Sequence, residues 1–282
     1  MGERTGIEWT HHSSSPWVGC TKVSAGCDNC YAENWSIRFR PGVWGPGRKR
    51  HLVSQSSWDQ PMRWHARCEA LGIRERVFPS MCDPFDVEVP REWLQRFWHL
   101  VRRTPSLDWI LLTKRPHAML RRLPDDWGDG WAHVWLGVSV ENQEMADLRL
   151  PLLRRAPAAV YVCSYEPALG PVDFRDHLTW LSWVIAGGES GAGARPPDPD
   201  WFRAVRDQCA RAGVPYFFKQ WGTWRPACCP ESADTPLRDA APELRIEHFR
   251  RLEDGVLMER GGKAENGHVL DGAVWQQVPE IG

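Results

Sequence analysis

Three cysteines stand within eleven residues, in the segment Gly19-Cys20-Thr21-Lys22-Val23-Ser24-Ala25-Gly26-Cys27-Asp28-Asn29-Cys30-Tyr31. The arrangement is C-x6-C-x2-C. A C-x2-C pair can set two thiolates on one metal centre or cluster, and the glycines let the loop curl so that Cys20 joins them. A structural zinc takes four ligands, and His11 or His12 would complete a Cys3His site. A four-iron cube held by three cysteines leaves one iron open. That iron can bind a chelating ligand such as the amino and carboxylate groups of S-adenosylmethionine, and an electron from the reduced cluster would cleave the sulfonium to a carbon radical. Buried, inert thiols are the plain alternative. Three in one glycine-bearing loop argue against it, and a [4Fe-4S] cluster on Cys20, Cys27 and Cys30 is the expectation.

Such a loop needs a scaffold. Short apolar runs alternate with helical patterns, as parallel α/β folds require. The predicted strands are Arg76–Ser80, Asp108–Thr113, Val134–Ser139, Ala159–Ser164, Trp183–Gly187 and Val214–Lys219. Helices are predicted over Pro90–Arg103, over Gln143–Arg155 with Pro151 kinking or dividing it, and from a cap at Asp200 through Arg211, ended by Gly213. In parallel sheets and barrels function gathers at the carboxyl ends of the strands. There the chain delivers Asp83, Thr113-Lys114-Arg115, Ser139-Val140-Glu141, Ser164-Tyr165-Glu166, Gly187-Gly188-Glu189-Ser190 and Lys219-Gln220. Six polar strand ends in register predict one shared pocket.

The rest of the composition sets limits. With 282 residues, 42% hydrophobic and 25% charged, the chain can bury one large core. A net charge of −1 excludes a wholly basic nucleic-acid or membrane binder, although local patches stay open. No apolar stretch is long enough to span a membrane, and Glu3, Arg4 and Glu8 occupy the place of a signal peptide's apolar core, so a cytoplasmic protein is expected. Nine cysteines, an odd and unevenly spaced set, do not form a disulfide framework. Residues 1–225 read as the barrel domain. Residues 226–282 read as a loop insertion, Pro226–Asp239, followed by a small closing segment.

Several motifs together carry a family resemblance. Ile7-Glu8-Trp9-Thr10, the cysteine segment through Glu33, Leu112-Thr113-Lys114-Arg115-Pro116, Trp135–Glu141, Gly187-Gly188-Glu189-Ser190-Gly191 and Phe218-Lys219-Gln220-Trp221-Gly222 resemble the three-cysteine-motif family of bacteriophages and bacteria. The resemblance spans nearly the whole chain. That family looks like a remote branch of the radical S-adenosylmethionine superfamily, which implies a partial or full (β/α) barrel of that type, the cluster, S-adenosylmethionine and an electron donor. The superfamily's usual C-x3-C-x2-C is lengthened here, at a closure cost of only ~0.6 kcal/mol per doubling of the loop.

The resemblance also implies roles. Ser139 and Glu141 match the pair that contacts the cofactor's ribose hydroxyls, although both could instead cap the next helix. Gly187, Gly188 and Glu189 resemble the Gly-Gly-Glu element for its amino group, but follow a later strand than in the superfamily. Asp83, Lys114, Arg115, Glu166, Lys219 and Gln220 are candidate substrate contacts, or salt bridges of a barrel mouth. Asn34–Trp58 holds Arg38, Arg40, Arg48, Lys49 and Arg50 among Trp35, Phe39, Trp44 and Trp58 with no acidic residue, a composition that fits nucleic acid or a nucleotide. The expected activity is radical chemistry on an unidentified substrate, with DNA repair or base modification in view. The alternatives are a zinc- or cluster-stabilised nucleic-acid-binding module without catalysis, and a hydrolase using Glu166 or Glu189 as acid or base.

Overall fold

The computed structural model describes residues 2–227 and 248–280. In chain order its elements are β1 (Gly2–Glu3), β2 (His12–Ser13), β3 (Trp17–Val18), α1 (Tyr31–Phe39), β4 (His51–Leu52), α2 (Gln55–Leu71), β5 (Glu75–Phe78), α3 (Arg91–Arg102), β6 (Leu107–Thr113), α4 (Pro116–Met119) and β7 (Val134–Val140). There follow α5 (Gln143–Leu153), β8 (Val160–Tyr165), β9 (Trp183–Gly187), α6 (Pro199–Ala212), β10 (Tyr216–Gln220), β11 (Trp224–Pro226), β12 (Phe249–Arg251), β13 (Leu257–Arg260), α7 (Lys263–Asn266), β14 (Val269–Leu270) and β15 (Ala273–Val274).

Seven strands run parallel in the order β2-β5-β6-β7-β8-β9-β10 and make a half-barrel, with β1 antiparallel on the outside of β2. All six predicted strands are present, each within two residues of its expected bounds. They were legible because strands covered on both faces become continuous apolar runs; every residue of β6 and β7 is buried. The seventh parallel strand, β2, is only two residues long and has no period to read.

The helices correct three details. Asp198, not Asp200, caps α6: its carboxylate accepts from the Asp200 amide at 2.8 Å, with Pro199 as the first helical residue, where no N–H is needed. Helix α5 continues through Pro151 undivided, because that proline is exposed in the last turn and frees only one carbonyl to solvent. The Asn34–Trp58 segment, read for its cations and aromatic rings and not for helices, contains most of α1 and the start of α2.

Side chains alternate across the sheet. Trp109, Leu111, Val184 and Ala186 pack outward against the helices. Ile110, Leu112, Trp183 and Ile185 point inward, where Trp9, Trp135 and Phe217 join them. Trp183 meets Trp9 and Trp135 edge to face at centroid distances of 6.3 and 5.8 Å. These rings fill the base of the half-barrel and leave its carboxyl end open. Mid-strand Gly137 is required by this crowding, since a Cβ there would lie 2.6 Å from both the Leu112 side chain and the Val162 carbonyl.

Beyond β10, strands β11, β13 and β12 form a three-stranded antiparallel sheet. After the β14–β15 hairpin the chain returns along β10: Phe218 N donates to Trp275 O, Gln277 N donates to Tyr216 O, and Trp183 Nε1 donates to Gln277 O. The tail therefore covers the sheet edge that a half-barrel leaves unpaired. Most of the expected Pro226–Asp239 loop, with Cys228 and Cys229, lies outside the described residues.

Candidate functional site

A cavity of about 470 Å³ opens at the carboxyl ends of the parallel strands, a size suited to a small ligand. Its floor is Trp9, Phe78 and Leu112, and the cysteine loop forms one wall. That loop leaves β3 at Gly19, whose φ of +123° and a 2.4 Å approach of the Val43 carbonyl to any Cβ both demand glycine. It passes a single 3-10 turn, Ala25–Cys27, and Cys30 caps α1. Cys20, Cys27 and Cys30 are free, half-buried thiols facing the cavity. Burial pushes Cys20 up to about 12, with the Asp83 carboxylate adding to the effect and Arg115 opposing it. Burial also raises Cys30, against the α1 amides of Glu33 and Ala32 and the Lys114 ammonium.

The loop has no buried residue in its 3-10 turn, and the strand ends hold it by polar contacts. Arg115, at the end of β6, donates from Nη1 to Cys20 Sγ at 3.3 Å and to Asp83 Oδ2 at 2.8 Å, and from Nη2 to Thr21 O. Asp83 also accepts from Thr113 Oγ1 and the Phe85 amide. Glu141, after β7, is wholly buried; one oxygen accepts from Arg149 at 2.8 Å and the other from Gly26 N at 3.3 Å. Glu189, after β9, accepts from Asn29 Nδ2 at 3.0 Å and from the Arg195 guanidinium, which also donates to Ala25 O and Asp28. Burial opposes ionisation of Glu189, but these donors outweigh it and hold the carboxyl below its usual value.

The predicted site residues thus gather at the carboxyl ends of the strands, all but Glu141 and Gly187 lining the cavity, and those outside the cysteine loop divide into three sets. Asp83, Arg115, Glu141 and Glu189 are committed to the cysteine loop. Gly187 and Gly188 are close-packed: a Cβ on Gly187 would lie 2.6 Å from Glu166 Oε1, and one on Gly188 1.9 Å from Trp221 O. Lys114, Ser139, Glu166, Lys219 and Gln220 line the cavity as well, beside Asp83, Arg115, Gly188 and Glu189. Lys219 donates to Glu166 at 2.8 Å. Lys114 has no ion pair among the described residues. Gln220 is 6% exposed; its amide donates to Ser190 Oγ, while Oε1 is a buried acceptor with no donor. Such an orphan acceptor suits a ligand N–H or O–H.

Sequence reasoning missed Asn29, Arg149 and Arg195, whose roles exist only in the tertiary structure. Cys82, beside Asp83 in the chain, was not singled out, although the Gly19–Cys82 bridge sets it at the root of the cysteine loop and on the cavity wall. Its position next to Asp83, just past a predicted strand end, was the available signal.

The two metal groups make different demands on this donor set. A zinc with Zn–S of about 2.3 Å brings thiolates to roughly 3.8 Å of one another. Among the described residues, the only three potential ligand atoms within 4.8 Å of each other belong to Asp198, Asp200 and Asp254, so the three thiols are spread wider than one ion requires. His11 and His12 correct the Cys3His expectation. His12 stacks on Trp64 at 4.1 Å and contacts Glu75, His11 Nδ1 accepts from the Arg76 amide, and neither lines the cavity. A four-iron cube gives each cysteine its own iron and so does not require the thiols to lie that close.

Comparison with known proteins places the whole chain in one family. Residues 4–279 match the model described as "Protein of unknown function (DUF5131)", and the chain belongs to that family. No curated protein and no solved structure matches it.

Proposed function

We propose that the protein is a radical S-adenosylmethionine-type iron–sulfur enzyme in which Cys20, Cys27 and Cys30 hold a [4Fe-4S] cluster at the mouth of the half-barrel. The observation that carries the reading is the mounting of the cysteine loop. Three thiols from one loop face a small-molecule-sized cavity, and charged groups from the ends of β6, β7 and β9 hold that loop in place. When bound, the cluster would supply the electron that opens the cofactor's sulfonium.

The chain's own residues then have distinct tasks. Arg115 sets the Cys20 sulfur through a charged hydrogen bond, and Glu141 and Glu189 hold the loop rather than reaching for a ligand. Ser139 and Gln220 offer hydrogen bonds to a bound molecule, with Lys114 available for an anionic group. The apolar floor of Trp9, Phe78 and Leu112 excludes water from the base of the cavity. In the hydrolytic alternative Glu189 is unsuited to the role of proton donor, because Arg195 and Asn29 hold its carboxyl below the usual value. No helix among the described residues is long and apolar enough to cross a membrane. The reading calls for a reducing, cytoplasmic setting and an electron donor, since both cluster and free thiols require them.

The test is anaerobic reconstitution of the full chain and of Cys30→Ala. About four irons with matching sulfide per natural chain is expected. So is 5′-deoxyadenosine after reduction, falling to background in the variant. Zinc in place of iron, or equal deoxyadenosine from both chains, would overturn the assignment.

A further inference from the structure

The exposed face of α1 is unusual for a surface helix. Tyr31, Trp35 and Phe39 recur every four residues, so their rings share one face. They are 55%, 42% and 51% exposed, whereas Ala32 and Ser36 are the helix's buried residues. The Trp35 and Phe39 centroids are 5.0 Å apart, and the Arg38 guanidinium lies 5.1 Å from the Phe39 centroid. The row begins at the cavity, because Tyr31 and, from the following loop, Trp44 line its mouth.

The charge on the segment that follows the first turn of α1 has one sign, Glu33 before it being paired with Lys22 at 2.9 Å and Glu88 beside it accepting from Gly47 N. From Asn34 to Trp58 there is no acidic residue. Arg50 is withdrawn, fully buried against Asp86 at 2.8 Å, but Arg38, Arg40, Arg48 and Lys49 are exposed. Cations beside accessible aromatic faces are complementary to phosphates beside accessible base faces. In a duplex the base faces are stacked away, so the complement is a single strand.

We propose that α1 and the loop after it form a landing surface for single-stranded nucleic acid, which leads a nucleotide to the cavity mouth at Tyr31 and Trp44. As a statement of substrate class this rests on the radical reading. As a statement of binding it stands on the rings and cations alone.

The experiment is fluorescence anisotropy of a labelled oligothymidine with the full chain, across a range of salt. The variants are Trp35→Ala/Phe39→Ala and Arg38→Gln/Arg40→Gln, all at exposed positions, with thermal melts to confirm folding. Loss of the two rings should weaken binding roughly ten-fold or more with little change in salt dependence. Loss of the two arginines should lower the slope of log affinity against log salt by about 1.4. No binding at low salt, unchanged affinity in the ring variant, or duplex bound as tightly as single strand would overturn the proposal. Running the titration beside the deoxyadenosine assay separates the two readings. Binding without cofactor cleavage keeps the surface and removes the radical assignment, and cleavage without binding does the reverse.

Discussion

Glu141 discriminates between a cofactor contact and a loop support. Its carboxylate is buried against Arg149, with the two side chains 1% and 3% exposed and 2.8 Å apart. Glu141→Gln keeps an oxygen for Gly26 N but leaves a buried guanidinium without its anion. Removing one partner of a buried pair costs about 3–5 kcal/mol. Arg149 retains Ser139 O at 2.7 Å and Met145 Sδ at 3.1 Å, so the lower end of that range applies. About 3 kcal/mol in a chain of this size lowers Tm by roughly 6–12 °C. The assay is thermal unfolding of the protein with no iron or cofactor added, followed by circular dichroism. Arg149→Met should show a comparable loss, and the double variant Glu141→Gln/Arg149→Met should recover part of it, with a coupling of about 1–3 kcal/mol. A Glu141→Gln chain as stable as the natural one would refute the reasoning, because a carboxylate waiting for a ribose contributes nothing before the cofactor arrives.

Three further outcomes follow from the geometry. Gly19→Ala should cost at least ~2 kcal/mol in urea denaturation, since it combines a left-handed backbone position with a 2.4 Å contact on a backbone carbonyl. Glu75 gives a pH signature: burial opposes its ionisation, but hydrogen bonds from His12, Arg67 and Cys68 prevail and hold the carboxyl at about 2 against an ordinary 4.5. A depressed carboxylate stabilises the fold above its unfolded value and loses that contribution as pH falls toward 2. Up to about 3 kcal/mol should therefore disappear between roughly pH 5 and pH 2, and Glu75→Gln should flatten that limb of the urea-midpoint curve. Trp183→Ala should cost about 3–5 kcal/mol and expose residues 275–278 to amide exchange, because this ring both fills the barrel base and donates to Gln277 O.

The parallel strands were readable because burial on both faces leaves an apolar run between polar ends, and β6 and β7 show this along their whole length. Strand order then accounts for why Asp83, Lys114, Glu141, Glu166, Glu189 and Gln220 meet at one mouth. What each does there was not readable, since it depends on partners remote in sequence. Glu189 is satisfied by Asn29, 160 positions away, and by an arginine that also reaches Ala25 O. His11 and His12 sit near the cysteines in the chain, yet β2 pairs with β5 and carries His12 onto Trp64. Helix α2, which presents Trp64, was not among the helices expected from the sequence.

The means of attachment explains why so many rim residues are spent on the cysteine loop. A twelve-residue excursion from Gly19 to Cys30 with little buried apolar surface cannot be held by the hydrophobic effect, so its position depends on directional contacts. Arg115, Glu141 and Glu189 come from β6, β7 and β9, which at about 4.8 Å per strand places the outer supports roughly 14 Å apart around the rim. They grip the loop at Thr21, Gly26 and Asn29, and Arg195, paired with Glu189, adds a bond to Ala25 O. Two supports would let the loop rock about the line between them, whereas a third off that line fixes its tilt as well as its height. A bare structural metal site needs no such fixing, because the ion itself ties its ligands together. A loop that must present a group to a separate ligand across a cavity does, since reactive geometry tolerates displacements of only about 0.5 Å.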